Sequence, residues 1–399
     1  MRNLLTPLFL SASVAIAAEQ ESTQTPSSSL HTEANTASYE IQIEEQAALL
    51  GPFDSSLVEL YQQQGEQLAK QGNYREAISA LSQALQISRV NHGPYARQQE
   101  PALRSLIDAT EASGESVHIE LLSKRLLDLN NHTLNGNESI EDLGLLLNSS
   151  SWHLNRYINL RSATTLPHLQ MAVRLANSAE KLLSNHHSPE HIAVIDALEL
   201  VARGNFYLTA HYLNDLRFFF SQRQSSLHEQ LTEKVFQDGL AAHRRMIKIH
   251  QSNNATAGQI ASAQIELGDY LQRFQLTNVS HKVYKNAWQT LHQANNEDLL
   301  ASWLGQPVPL LESNLSATGN APLARIKAQV SVNGKAEKVE ILGDPATQSP
   351  ELASAAETAL QKVVFRTAVI DGEVVPGMVE FDLPIKEPAA HPQSLHRQE

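Results

Sequence analysis

His187-Ser188-Pro189-Glu190-His191 is the one string whose residue types and spacing match a catalytic pattern. In H-x-x-E-H, two imidazoles share a zinc ion, which requires both to project from one face of a helix. Pro189 opposes that geometry. Proline is at home in the first helical turn, so the spacing predicts Ser188 as N-cap and His187 outside the helix, turned away from His191. With 17 histidines in 399 residues, the adjacent His186 adds little. The string is therefore read as a turn between helices. The sequence contains no G-x-S-x-G elbow, phosphate-binding loop, dinucleotide fingerprint or calcium loop. Asp371-Gly372-Glu373 reads as a hairpin turn rather than an acid pair. Phe218-Phe219-Phe220, with Tyr207 and Tyr212 upstream, could form a ligand surface, but at helical spacing it is read as core. The expectation is a non-enzyme: no catalytic residues, no metal and no cofactor.

The elements that would position binding residues are clearest from Tyr61 to Ser88, YQQQGEQLAKQGNYREAISALSQALQIS. Tyr61, Gly65 and Leu68 repeat at i, i+4, i+7. Ala77, Leu81, Ala84 and Leu85 do the same after a break at Gly72-Asn73, so each segment presents one apolar stripe at helical period. Neither stripe can be buried by its own helix, and the small Gly65 and Ala77 permit close approach. The hairpin resembles a tetratricopeptide repeat: Tyr61, Gly65, Leu68, Gly72, Tyr74, Ala77, Leu81 and Ala84 stand at that family's signature offsets, with Arg89 where proline is common. Later stretches resemble degenerate copies. Gly114, between helical stretches Pro101 to Ala112 and Ile119 to Leu129, fits a longer kinesin-light-chain style of the repeat. RGNFYLTAHYL around Gly204 echoes QGNYREAISAL, and Leu267, Gly268, Leu271, Tyr284 and Ala287 recover the signature again. Stacking of such copies would bury a continuous core; an irregular helical bundle is the alternative.

The resemblance implies a concave groove lined by the first helix of each hairpin. Its non-core positions are Gln62, Glu66 and Lys70 in the first copy and Asp269, Gln272 and Arg273 in the last. The same positions also read as a solvated helix face with ion pairs Glu66–Lys70 and Asp269–Arg273.

Composition bounds the rest. Apolar residues make up 42% and charged ones 18%, so most of the chain should fold, and 399 residues suffice for two or three domains. A formal charge of −13 without a basic cluster disfavours nucleic acid. The absence of cysteine rules out disulfides, thiolate zinc sites and a thiol nucleophile. Arg2, the apolar run Leu4 to Ala18 and Ala15-Ile16-Ala17 before Glu19-Gln20 predict a signal peptide over residues 1–18, cut after Ala17 or Ala18. A retained anchor is the alternative, though about 15 apolar residues are short for a span of about 20. Sequons occur at Asn131, Asn137, Asn148, Asn254, Asn278 and Asn314, as a chain rich in Asn, Ser and Thr produces by chance. The reading is a periplasmic protein of a Gram-negative bacterium. Residues 19–44, polar and Ser/Thr-rich, read as a disordered leader.

Helical periodicity runs over 45–305, broken at Asn91 to Pro94, Ser113-Gly114, Asn130 to Asn137, Asn185 to Pro189 and Gln251 to Asn254. Residues 306–321 read as a linker and 387–399 as a loose tail. Between them, 322–386 changes period. Ile326, Ala328, Val330 and Val332 alternate with polar residues, turn at Asn333-Gly334 and continue to Leu342. Ser349-Pro350-Glu351 predicts a helix start, followed by Leu352, Ala356, Ala359, Leu360 and Val363. Strands from Val364 to Ile385 complete an order β-β-α-β. This module is similar to the C-terminal domain of TonB-type energy transducers, on VSVNGKAEKVEIL, LASAAETALQ and VVFRTAVIDGEVVPGMVEFDLPI, with Thr367 where that family has proline.

The expected fold class is mainly α: a helical-hairpin solenoid of six or so hairpins followed by a small α+β module. The expected role is a periplasmic scaffold that holds protein or peptide partners through the groove and the last module. Two other classes stand beside it. One is a TonB-type energy transducer, which would need an uncleaved span and a long Pro-rich spacer. The other is a cell-envelope enzyme acting on peptidoglycan, which would need carboxylates or histidines converging in a cleft.

Overall fold

The computed structural model describes residues 27–114, 116–160, 163–219, 225–310, 323–342, 360 and 363–384. The predicted signal peptide, the tail, and the helix expected from Ser349 apart from Leu360 lie outside the described residues. The fold is mainly α, with a small C-terminal sheet region. It divides into two compact units, Met1–Leu129 and Asn130–Glu399.

In the first unit, α1 (Ser27–Leu50) is followed by α2 (Leu57–Lys70), α3 (Tyr74–His92), α4 (Glu100–Ser113) and α5 (Ser116–Thr133), the last running past the unit boundary. α1 corrects the expectation of a structureless leader up to residue 44. Its C-terminal end carries Ile43, which is buried with Leu57 of α2 and Ile87 of α3, so a short apolar stretch orders a polar segment. α1 packs on α2, α2 on α3 and α3 on α4, and α2 also touches α4. The α2/α3 approach depends on Gly65, where an added Cβ would sit 2.5 Å from Leu81 Cγ and 3.2 Å from the Ala77 carbonyl. The turn closes as a Schellman motif. Asn73 N donates to Leu68 O and Gly72 N to Ala69 O, both at 3.0 Å, and Gly72 takes φ +80°.

In the second unit, α6 (Leu143–Leu160), α7 (Leu166–His186), α8 (Ile195–Phe219), α9 (Ser225–Ser252), α10 (Ala257–Arg273), α11 (Thr277–Gln293) and α12 (Glu297–Trp303) each pack on the next. α6 also touches α8. The hairpin break read at Gly204 is corrected: Gly204 lies inside α8, where a Cβ would meet Val173 Cγ2 of α7 at 2.5 Å. This glycine serves close packing and not a turn. Gly268 of α10 plays the same part against Tyr284 of α11, whose Cδ1 would be 2.5 Å from a Cβ there. The α10/α11 turn repeats the Schellman pattern without glycine, with Leu276 N donating to Leu271 O, Gln275 N to Gln272 O, and Gln275 at φ +61°.

Among the described residues the strands that follow are β1 (Val308–Pro309), β2 (Leu323–Val330), β3 (Ala336–Leu342), β4 (Phe365–Arg366), β5 (Ala368–Ile370), β6 (Glu373–Val375) and β7 (Gly377–Pro384). β3, β2 and β7 form one antiparallel sheet in that order. Ile326, Ala328 and Val330 of β2 are fully buried there with Phe365, Leu360 and Val379, as the alternation predicts. The start of the expected linker is instead β1, paired with β4. β5 and β6 form a hairpin over Asp371-Gly372, both at positive φ, the turn chemistry of type I′. Val369 and Val374 of this hairpin enter the helical core made by Ala261, Ile265, Tyr284, Ala287, Leu291, Leu300 and Leu304. The β5–β6 hairpin and the last helices therefore share one core, while β2, β4 and β7 bury their apolar residues in another. Among the described residues, no helix is long and apolar enough to cross a membrane.

Candidate functional site

The last hairpin holds the densest polar arrangement, on the face of α10 where Asp269 and Gln272 stand. Arg366 of β4 grips Asp269 with two nitrogens, Nε to Oδ1 at 2.9 Å and Nη2 to Oδ2 at 2.5 Å. A third, Nη1, donates to the Trp303 carbonyl at 3.1 Å. Tyr284 Oη also donates to Asp269 Oδ1, at 2.9 Å. The ion pair is largely buried, with side-chain exposures of 12% for Arg366 and 15% for Asp269. Burial opposes the Arg366 charge, but Asp269 outweighs it and holds the guanidinium pKa above its ordinary value. For Tyr284, burial and then Asp269 push the phenol well up.

One turn further along α10, Gln272 is buried and saturated. Its Nε2 donates to Asn333 O at 3.0 Å, and its Oε1 accepts from Ser280 Oγ. His281 Nε2 donates to Val332 O at 2.8 Å. These contacts fall on the β2–β3 turn expected at Asn333-Gly334, which spans residues 331–335 with Ser331 N bonded to Lys335 O. The Gly334 carbonyl accepts from Phe365 N at 3.0 Å, and a Cβ on Gly334 would strike the Gln272 amide and the Phe365 carbonyl. Asp269 and Gln272, read as open-groove positions, are thus occupied by the chain's own C-terminal strands. Arg273, read as the partner of Asp269, instead lies over the Phe206 ring at 4.9 Å.

Beside this joint are carboxylates that sequence reasoning missed. Burial, then Glu199 and Asp269, raises Glu266 to about 7, against the pull of Arg366. Burial and then Asp196 raises Glu199 to about 6, against Arg203. The charge of Glu199 on α8 thus acts on Glu266 of α10. The i, i+3 pair Glu266/Asp269 was visible in the sequence; its neighbour from α8 was not.

In the first unit, Glu66 Oε1 accepts from Gln62 Nε2 on its own helix and from Ser105 Oγ of α4, both at 2.9 Å. The bond from Ser105 to Glu66 thus joins α4 to α2. Gln62 and Glu66 are half-buried there and Lys70 is exposed.

The histidine string forms the expected turn between α7 and α8, but Ser188 is not a helix N-cap and His187 is not turned away from His191. Pro189 and Glu190 form a turn closed by His191 N to Ser188 O at 3.2 Å, and His191 caps the following 3-10 turn through Nδ1. Proline therefore sits at the second position of a β-turn and not in a first helical turn. Glu190 is bonded to Lys248. The His187 and His191 rings stack at 4.4 Å and 11°, and such parallel planes do not aim two lone pairs at one ion. No group of three or more His, Asp or Glu placed to hold a metal occurs among the described residues. Tyr207 and Tyr212 are half-buried against the core of α6 to α8, while the side chains of Phe218 to Phe220 lie outside the described residues.

A second buried network links Asn130, His153 and His168. The Asn130 amide nitrogen can only donate, so His153 Nε2 accepts at 2.9 Å and Nδ1 carries the proton into a 2.7 Å bond with His168 Nδ1. Burial and then Arg156 depress His168 to about 4, which keeps His168 neutral near pH 7.

No family model matches the chain, and no curated protein matches it in sequence.

Proposed function

We propose that this chain is a non-enzymatic scaffold of the bacterial periplasm. In this reading a tetratricopeptide-like array of helical hairpins holds extended protein segments along the face of its first helices, and a TonB-like β module closes the array. One observation carries it. Asp269 binds the guanidinium of Arg366 in β4, while Gln272 and His281 bind main-chain carbonyls of the turn between β2 and β3, and these are groups by which a peptide is held. Both segments are the chain's own, but the chemistry is that of a peptide-binding face. Close packing at Gly65 and Gly268 and the bond joining α4 to α2 support the repeat reading.

The test places a photo-crosslinking residue at Gln62 or Lys70, with Glu76 on α3 as control, in cells that secrete the protein. Defined adducts at the first two positions and not at the third are expected. Equal labelling at all three would remove the groove. Mass spectrometry of the purified protein is expected to show loss of the first 17 or 18 residues; an intact N-terminus would exclude a free periplasmic form.

A further inference from the structure

The geometry points to a guanidinium seat on the helices, formed by Asp269, Tyr284 and the Trp303 carbonyl, which Arg366 fills in cis and which an arginine in an extended stretch of a partner protein would fill in trans. The C-terminal strands are then a built-in competitor. This rests on the scaffold reading and gives it a ligand chemistry.

Every group of the seat belongs to a helix or a helix end, so none is supplied by the strands it holds. Tyr284 is fully buried against Gly268 and fixes Asp269 Oδ1 through its hydroxyl. Ser280 fixes Gln272, which leaves Nε2 to meet a backbone carbonyl. The seat is therefore preorganised, and a carboxylate with two accepting oxygens selects the planar fork of arginine over lysine. What it grips is a two-residue strand, β4, paired with the two-residue β1 and held further by the fully buried Phe365 ring and the bond from Phe365 N to Gly334 O. Val369 and Val374 keep that strand close, so a partner competes with an intramolecular ligand at high effective concentration.

The probe is a fluorescent peptide of residues 361–371, QKVVFRTAVID, alongside a copy with alanine in place of the arginine. Full-length R366A is expected to bind the arginine peptide at least about tenfold tighter than the wild-type chain does, as removal of a cis competitor requires. The alanine peptide should bind neither well, and D269N/R366A should lose the gain. Equal binding by wild type and R366A overturns the inference. If R366A fails to fold, hydrogen exchange of the wild-type chain under excess peptide decides. Faster exchange at the Phe365 and Val369 amides with the arginine peptide alone supports the seat, and unchanged exchange overturns it. A partner crosslinked at Gln62 with no peptide effect at Asp269 sinks this inference and leaves the scaffold reading standing; absence of crosslinks sinks the scaffold reading.

Discussion

Glu266 holds a proton where an exposed glutamate would not, and this has a consequence for stability. Its value in the folded chain, about 7, lies above the ordinary 4.5. The stability it contributes is whole below about 4.5 and is lost as pH rises through about 7. His168 and His243 act in the opposite sense. Burial lowers both from 6.5 to about 4, so their contribution is present above 6.5 and is lost as pH falls through about 4. E266Q is expected to be more stable than wild type at pH 8 by on the order of 2 kcal/mol, with the gap closing toward pH 4.5. Urea unfolding across that range measures it, and parallel curves would show that another group titrates. The Asp269–Arg366 pair follows a second rule, that removing one partner leaves a buried charge without its counterion. R366A should cost about 3–5 kcal/mol, and the apolar double variant D269L/R366M distinctly less. Equal losses in the two would mean that the pair is not electrostatically buried.

Between helices, the decisive quantity is how closely two backbones approach. Gly268→Ala puts a methyl group into the fully buried Tyr284 ring, and Gly65→Ala puts one against the fully buried Leu81 and the Ala77 carbonyl, so each should destabilise by about 1–3 kcal/mol, measured by urea unfolding. The opposite change is expected at the α10/α11 turn. Gln275 pays the left-handed penalty that Gly72 avoids, so Gln275→Gly should gain about 1 kcal/mol, visible as a raised Tm. These hairpins were legible because period and small residues are local. The α8 interior was misread because glycine has two uses, and the sequence around Gly204 does not say whether the backbone turns or packs. The β2–β3 hairpin turns at Asn333-Gly334 as its sequence indicates, but that the turn's carbonyls are claimed by Gln272 and Phe365 depends on partners distant in sequence.

In the second unit the β5–β6 hairpin shares a core with the last helices. The β5–β6 hairpin should therefore open with α10 to α12 and not before them. Hydrogen exchange is expected to give peptides covering Ala368 to Val375 and Tyr284 to Leu304 the same opening free energy, since Val369 N is bonded to Leu304 O at 2.8 Å. An earlier release of the strands would return them to the status of a tethered module. The predicted boundary near residue 305 marks a change of period in the sequence, while the contacts divide the chain at Leu129.

Sequence alone determined that most of the chain is helical, that Gly65, Ala77, Gly268 and Ala287 let paired helices meet, and that alternation resumes after Ile326, because each of these follows from neighbours within a few turns. It also singled out Asp269 and Gln272 as groove positions of α10. That these residues receive Arg366 and Asn333, and that Glu199 stands near Glu266, was decided only by the tertiary structure. Side-chain spacing along a helix states which residues share a face, whereas what covers that face depends on chain returning from far away.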